Sequence, residues 1–361
     1  MDKIWQSDWQ SYTVVFFVSL LILMIGISAD PSWKLDEVCY VGAARSFNAG
    51  TPSVNPEHPP LVKYLIALSI KTFGDSPLGW RFPSGLAGAI VALSGFGLSL
   101  RLTRTLRSAY AAWLLLMANG FLFVMSRMAN LSIFELAFEM AGVWLFVVAI
   151  EKNAPFLFAC SGALFGLSVA SRWCGAVGLT VCGAYALVKN KRAVVDVLLM
   201  GSTAVATYAV TWIPLMVREH RSGTYLITAN RFILHFHQFA VTDSRPGEPW
   251  FTWPTMFGQQ ESLTEMVANP VVAAFGLVAL VVLLWNRKPL LPALYVAHIM
   301  QWAIVSSHWQ HYYYYLEAFT WLTMALASAM QGVTIRRLKL DVIVLACALA
   351  SASYPVWGAL R

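Results

Sequence analysis

Long apolar runs, broken by short polar or basic stretches, dominate the chain. They lie at about 12–29, 82–100, 109–126, 131–150, 155–171, 174–188, 194–215, 266–285, 289–306, 313–331 and 340–357. A run of some 20 apolar residues matches the hydrocarbon thickness of a bilayer, and somewhat shorter runs suit tilted or kinked helices that thin it locally. The pattern predicts an all-α polytopic membrane protein with about 11 transmembrane helices in a single membrane domain over 1–361. The first span is expected to be an anchor, because its apolar run begins late and no small-residue cleavage site follows it.

Charge sets the orientation. The connections RLTRTLRS, EKNA, KNKR, NRK and GVTIRRLK hold 12 of the 25 Lys and Arg in 27 residues, so they are expected to face the cytoplasm. The N-terminus is then cytoplasmic, and two longer segments, 30–81 and 216–265, lie on the opposite side. These are rich in Pro and Trp and poor in the charge that disorder requires, so they are expected to fold against the membrane.

Composition agrees with this class: 58% of residues are hydrophobic and only 12% charged, about half the charged share of soluble domains. The net charge of +7 is explained by loop orientation and implies no nucleic-acid partner. Four of the five cysteines fall inside apolar runs and Cys39 lies in a polar loop, without CxxC or Cys/His spacing, so neither a disulfide framework nor a zinc site is expected.

Chemistry concentrates on the non-cytoplasmic side. Asp36 and Glu37 are adjacent in LDEVCY. Neighbours on a helix diverge by about 100°, so they cannot act as one clamp; either they merely start a helix, or one reaches a site while the other orients it. That helix is expected to stop at Gly50. In NPEHPPLVKYLIAL, two prolines fix the entry to a second helix and present Glu57 and His58 at its start, with Lys63 about a turn in. Arg81, Arg127 and Arg172 each arrive at this surface from a separate turn. One such arginine snorkels to headgroups as readily as it binds a ligand, whereas three together are what a lipid-phosphate site requires. His235 and His237 in HFHQF lack a third ligand, and HYYYYL can serve as an interfacial aromatic belt or as a stacking surface for a sugar.

In order, LDEVCY, NPEHPPLVKYLIAL, GWRFPSGLAG, MSRMANLSIFE and GALFGLSVASRWCG resemble the protein O-mannosyltransferases and their bacterial relatives. These are type C glycosyltransferases that use polyprenyl-phosphate sugars. The resemblance covers 12–190 well. Over the C-terminal helices of 191–361 it is weaker, through PWFTWP and SHWQHYYYYLEAF.

It implies the type C glycosyltransferase fold with external juxtamembrane helices in the first long loop, and a compact bacterial-type member of the inner membrane with a periplasmic site. It implies Asp36 as catalytic base with Glu37 supporting it, and Arg81, Arg127, Arg172 and Lys63 at the donor phosphate. Glu57, His58, Glu135, Trp253, His311 and Tyr312 are expected at the substrates. The implied partners are a polyprenyl-phosphate-linked, mannose-like hexose and a protein, lipid or glycan acceptor. No cofactor is required by this chemistry, and a divalent cation is left open, with no metal site predicted. Two departures stand out: Ser132 occupies a place where the pattern has Asp, with Glu135 one turn on, and Arg172 replaces a Lys.

A catalytically inactive protein of the same fold, serving as a subunit of a larger membrane protein complex, is the alternative reading. Ser132 permits it, and charged residues kept at one membrane surface argue against it. A transporter fits worse, since the polar groups gather at one face rather than mid-span.

Overall fold

The computed structural model describes residues 9–240, 249–255, 268–304, 311–330, 334–335, 338–339 and 344–349. Among them the architecture is helical: α1 (Trp9–Met24), α2 (Glu37–Ala49), α3 (Leu61–Phe73), α4 (Pro77–Thr103), α5 (Leu106–Met117), α6 (Gly120–Met125), α7 (Leu131–Lys152), α8 (Pro155–Ser171), α9 (Ala176–Lys189), α10 (Val194–Val210), α11 (Ile213–Arg218), α12 (Tyr225–His235), α13 (Pro270–Trp285), α14 (Leu290–Ile304) and α15 (Leu316–Ala329). A single ladder pairs Thr334 with Lys339 and Ile335 with Leu338, a small departure from the all-α expectation.

The expected count of eleven spans is not reproduced as eleven long helices. Among the described residues three helical stretches are long and apolar enough to cross a membrane, at Pro77–Thr103, Leu131–Lys152 and Lys191–Arg218, and the other apolar helices are shorter. The physical reasons are local. The run at 109–126 is split because the Asn119 side chain accepts the Leu122 N–H at 3.3 Å and starts α6 anew. The run at 12–29 ends early, with Gly26 in the left-handed region at φ 67°. Most of 340–357 lies outside the described residues, as do residues 307–310 of SHWQHYYYYLEAF.

At the centre, α4 packs against α1, α3, α5 and α7, and α7 carries α8, which in turn packs on α10. Its 27 residues span about 40 Å at about 1.5 Å each. At one end Arg101 and Arg104 pair with Glu151 at 3.0 and 2.7 Å, joining two of the basic connections. Arg81 is at the other end, with the first long loop. There α2 ends at Gly50, whose N–H reaches the Ser46 and Phe47 carbonyls in a left-handed cap, and α3 begins directly after Pro59-Pro60, both as the turn chemistry predicts.

Candidate active site

Asp36 and Glu37 part company at the start of α2. Leu35 takes a positive φ of 46°, and the chain then enters the helix with the two carboxylates on different sides. Glu37 is fully buried. It takes the Arg81 Nε at 2.8 Å and Nη2 at 2.7 Å, the Ala129 N–H at 2.8 Å and the Lys34 N–H at 2.9 Å. Arg81 spends its remaining donors on the carbonyls of Ile27, Asp30 and Ser32. All five guanidinium N–H groups are thereby used, leaving none for a phosphate.

Asp36 makes no cap to its own helix. It stays partly exposed and faces Tyr313 and Tyr40, whose hydroxyls donate to it, with His311 and Arg172 close enough to act on its charge. Burial raises its carboxyl above the usual range, while His311, Arg172 and the two tyrosines pull the other way.

Arg172 leaves α8 in extended backbone and is 9% exposed. Its Nη1 donates to Ser132 Oγ at 3.0 Å and Glu317 Oε1 at 3.2 Å, and its guanidinium lies 4.5 Å from the Tyr314 ring centre and 5.4 Å from that of Trp302. Tyr314 and Trp302 stack at 4.5 Å and 3°. Unlike Arg81, this arginine keeps its Nε and Nη2 without a hydrogen-bond partner among the described residues.

The tyrosine turn supplies a correction. Tyr312–Tyr315 forms a 3₁₀ turn, in which residues three apart eclipse. Tyr312 and Tyr315 therefore face the core beside Phe121, at 5.0 and 6.0 Å, while Tyr313 and Tyr314 serve Asp36 and Arg172. Tyr312, expected at the substrate, packs in the core instead, and its neighbours Tyr313 and Tyr314 lie against Asp36 and Arg172. Trp253 likewise is 1% exposed and packs 6.0 Å from Trp302 and 6.2 Å from Tyr315, behind the site. His311 stacks on Tyr313 at 5.4 Å.

Lys63 is buried and donates to the carbonyls of Asn55 and, at 2.9 Å, His58, so it clamps the Pro-rich entry. Burial pushes its ammonium down to about 7, against the pull of Glu57. His58 neighbours Tyr40 at 5.9 Å and His237 at 5.1 Å; burial, with His237 and Lys63 beside it, holds it well below the usual histidine range. His237 reaches the Glu57 carbonyl at 3.0 Å, so HFHQF braces the loop. His58 and Lys63 also line a cavity of about 300 Å³ walled by Trp212, Tyr225 and Phe232. Arg127 caps the end of α1, donating to the Leu23 and Ile25 carbonyls at 3.0 and 2.5 Å, which spends its Nη1 on structure.

Glu139, His298 and Glu317 escaped the sequence reading, which had named only Glu135 among the buried acids. Glu139 accepts from the Trp321 indole at 2.9 Å and pairs with His298 at 2.8 Å, all three buried within the bundle. Glu135 is buried against Glu317, their carboxyl groups in hydrogen-bonding contact. Ionisable groups inside apolar helices are themselves a signal, because burying them is expensive; Glu135, Glu139 and Glu317 are legible on that rule alone. Among the described residues, no cluster of three metal-ligating side chains is present.

Residues 57–216 match a family model described as dolichyl-phosphate-mannose-protein mannosyltransferase. The polyprenol-phosphate-mannose–protein mannosyltransferase of Mycolicibacterium smegmatis is 28% identical over 154 residues, 36% of this chain and 30% of that protein. The undecaprenyl phosphate-alpha-4-amino-4-deoxy-L-arabinose arabinosyl transferase of Pseudomonas paraeruginosa is 25% identical over 258 residues, 67% and 46% of the two chains. The chain thus spans less than half the length of these curated relatives. The S. cerevisiae protein O-mannosyltransferase Pmt1-Pmt2 complex bound to the sugar donor superposes with a TM-score of 0.81 at 11% identity, over 96% of this chain and 88% of that one, which establishes the fold. Over residues 57–216 the chain is thus similar to the protein mannosyltransferases, and it shares the fold of the solved protein O-mannosyltransferase.

Proposed function

We propose that this protein is a membrane glycosyltransferase that moves a sugar, mannose-like in the first instance, from a polyprenyl-phosphate carrier to an acceptor hydroxyl on the non-cytoplasmic face. One observation carries the reading: Asp36 and Arg172, a carboxylate and a guanidinium that retain unspent hydrogen-bonding capacity, meet beside the Tyr313-Tyr314 turn. In the reaction the bond from the anomeric carbon to the phosphate oxygen breaks and a bond to the acceptor oxygen forms. The acceptor proton passes to Asp36, and the charge gathering on the leaving phosphate is met by the free Nε and Nη2 of Arg172. Attack opposite the leaving group inverts the anomeric centre.

Glu37 and Arg81 hold Asp36 in place from behind rather than touching substrate. An apolar groove of about 310 Å³, walled by Leu65, Leu68, Phe82, Ile90 and Phe138 between α3, α4 and α7, suits a prenyl chain. The cavity on the far side of His58 suits the approach of the acceptor. Relatives named for mannose and for an amino-arabinose leave two sugars to try.

The test is transfer from radiolabelled polyprenyl-phosphate mannose, and from the undecaprenyl-phosphate aminoarabinose, to a membrane extract. The unsubstituted protein is expected to label an acceptor from one of them, and Asp36→Asn to lose that transfer by orders of magnitude. Transfer at the original rate by Asp36→Asn would refute the assignment of the base.

A further inference from the structure

We propose that Glu317 is the positioning residue for Arg172, holding its guanidinium by one nitrogen so that the others stay open to the donor phosphate. The inference rests on the reading of Arg172 as the phosphate-binding cation.

The two buried arginine–glutamate pairs make opposite use of the same chemistry. Glu37 grips Arg81 as a fork, with two oxygens on two nitrogens; a guanidinium held so has its charge and geometry fully satisfied. Glu317 touches Arg172 through Oε1 and Nη1 alone, at 3.2 Å. Its Oε2 takes no second contact from Arg172, and the buried Glu135 carboxyl lies in hydrogen-bonding contact with Glu317. Ser132 Oγ accepts from the same Nη1, and its hydroxyl carries no charge. Glu317 is therefore the carboxylate that fixes Nη1 from below while Tyr314 supports the guanidinium from one face. The hydrogen bonds of Arg172 all run through Nη1.

Two carboxyl groups buried side by side among apolar helices are a standing cost. A forked contact of Glu317 with Arg172 would lower that cost and would also close the site, which accounts for the geometry found. The residues come from opposite halves of the chain, 145 positions apart, so the C-terminal helices complete a site begun by the N-terminal ones.

Binding of undecaprenyl phosphate to the full chain in detergent separates the possibilities, measured for the unsubstituted protein, Arg172→Ala, Glu317→Gln, Glu317→Asp and the Arg172→Ala, Glu317→Gln double variant. Glu317→Gln is expected to weaken binding about tenfold, Glu317→Asp less, and the double variant no more than Arg172→Ala alone, since coupled residues are not additive. A purely structural Glu317 would instead add its full loss to the double variant, and that result overturns the proposal. So does binding by Glu317→Gln and Glu317→Asp equal to that of the unsubstituted protein. Should Arg172→Ala itself bind normally, the phosphate assignment fails and this inference with it.

Discussion

Glu37 and Arg81 form a forked pair closed off from solvent, 0% and 3% exposed, across the gap between the first loop and the start of α4. Asp36, one residue earlier, belongs to a different environment, partly exposed and ringed by tyrosines. Two adjacent acids thus divide structure from chemistry. The division predicts which substitutions damage folding and which damage transfer.

Glu37→Gln leaves the Arg81 guanidinium buried with the charge of its carboxylate partner gone. Removing one partner of a buried pair costs about 3–5 kcal/mol. Thermal unfolding in detergent is expected to show a clearly lowered midpoint for Glu37→Gln and for Arg81→Ala, and a smaller drop for Arg172→Ala, which holds its glutamate by a single contact. Equal midpoints for Arg81→Ala and Arg172→Ala would remove the distinction drawn between them.

For Asp36 the sign of the stability effect is reversed. Burial raises its carboxyl in the folded state, so its contribution is fully present below the unfolded value, about 3.9, and is lost as pH rises through the folded one. At neutral pH the ionised group is carried at a cost. Asp36→Asn is therefore expected to unfold at the same temperature as the unsubstituted protein or higher, while losing transfer. A marked loss of stability would mean that Asp36 is a structural acid.

The same environment fixes the acid limb of the activity profile. A base acts only when ionised, so kcat/KM is expected to fall as pH drops through a value above the ordinary carboxylate range. Tyr313 and Tyr40 donate to the ionised form and lower that value. Tyr313→Phe and Tyr40→Phe each remove a donor and should move the limb to higher pH. A limb that stays in place, or shifts downward, would contradict the contact.

What was legible in the sequence was local. Apolar runs, the Gly50 stop and the Pro59-Pro60 entry are written within a few residues, and the helices follow them closely. Nothing local distinguishes Arg81, with every donor spent, from Arg172, with donors left; that difference arises from partners 44 to 54 residues away in one case and 40 and 145 in the other. Tyr312 was chosen over Tyr313 and Tyr314 for a similar reason, because the phase of a four-residue 3₁₀ turn is set by what it packs against. The pairing of His298 with Glu139 joins helices 159 residues apart.

Arg172 also depends on how closely α8 lies to α10. Gly162 and Gly166 are four apart on α8, and a Cβ on either would fall 2.2 Å from the Met200 carbonyl oxygen or 2.5 Å from that of Ala204. Backbones meet there because only small residues allow it, as between helices in a bilayer. Gly162→Ala or Gly166→Ala must push the helices apart, at about 1–3 kcal/mol for overpacking, and shift the α8 end from which Arg172 projects. Gly201 on α10 is the control: a Cβ there meets nothing within 4 Å, and Gly201→Ala should be neutral or stabilise the helix by about 0.5–1 kcal/mol. Unfolding midpoints and undecaprenyl phosphate affinity are both expected to fall for the α8 variants and to hold for Gly201→Ala. If the α8 variants unfold earlier yet bind the lipid as before, the packing is structural only and Arg172 is held by Ser132, Glu317 and Tyr314 independently of it.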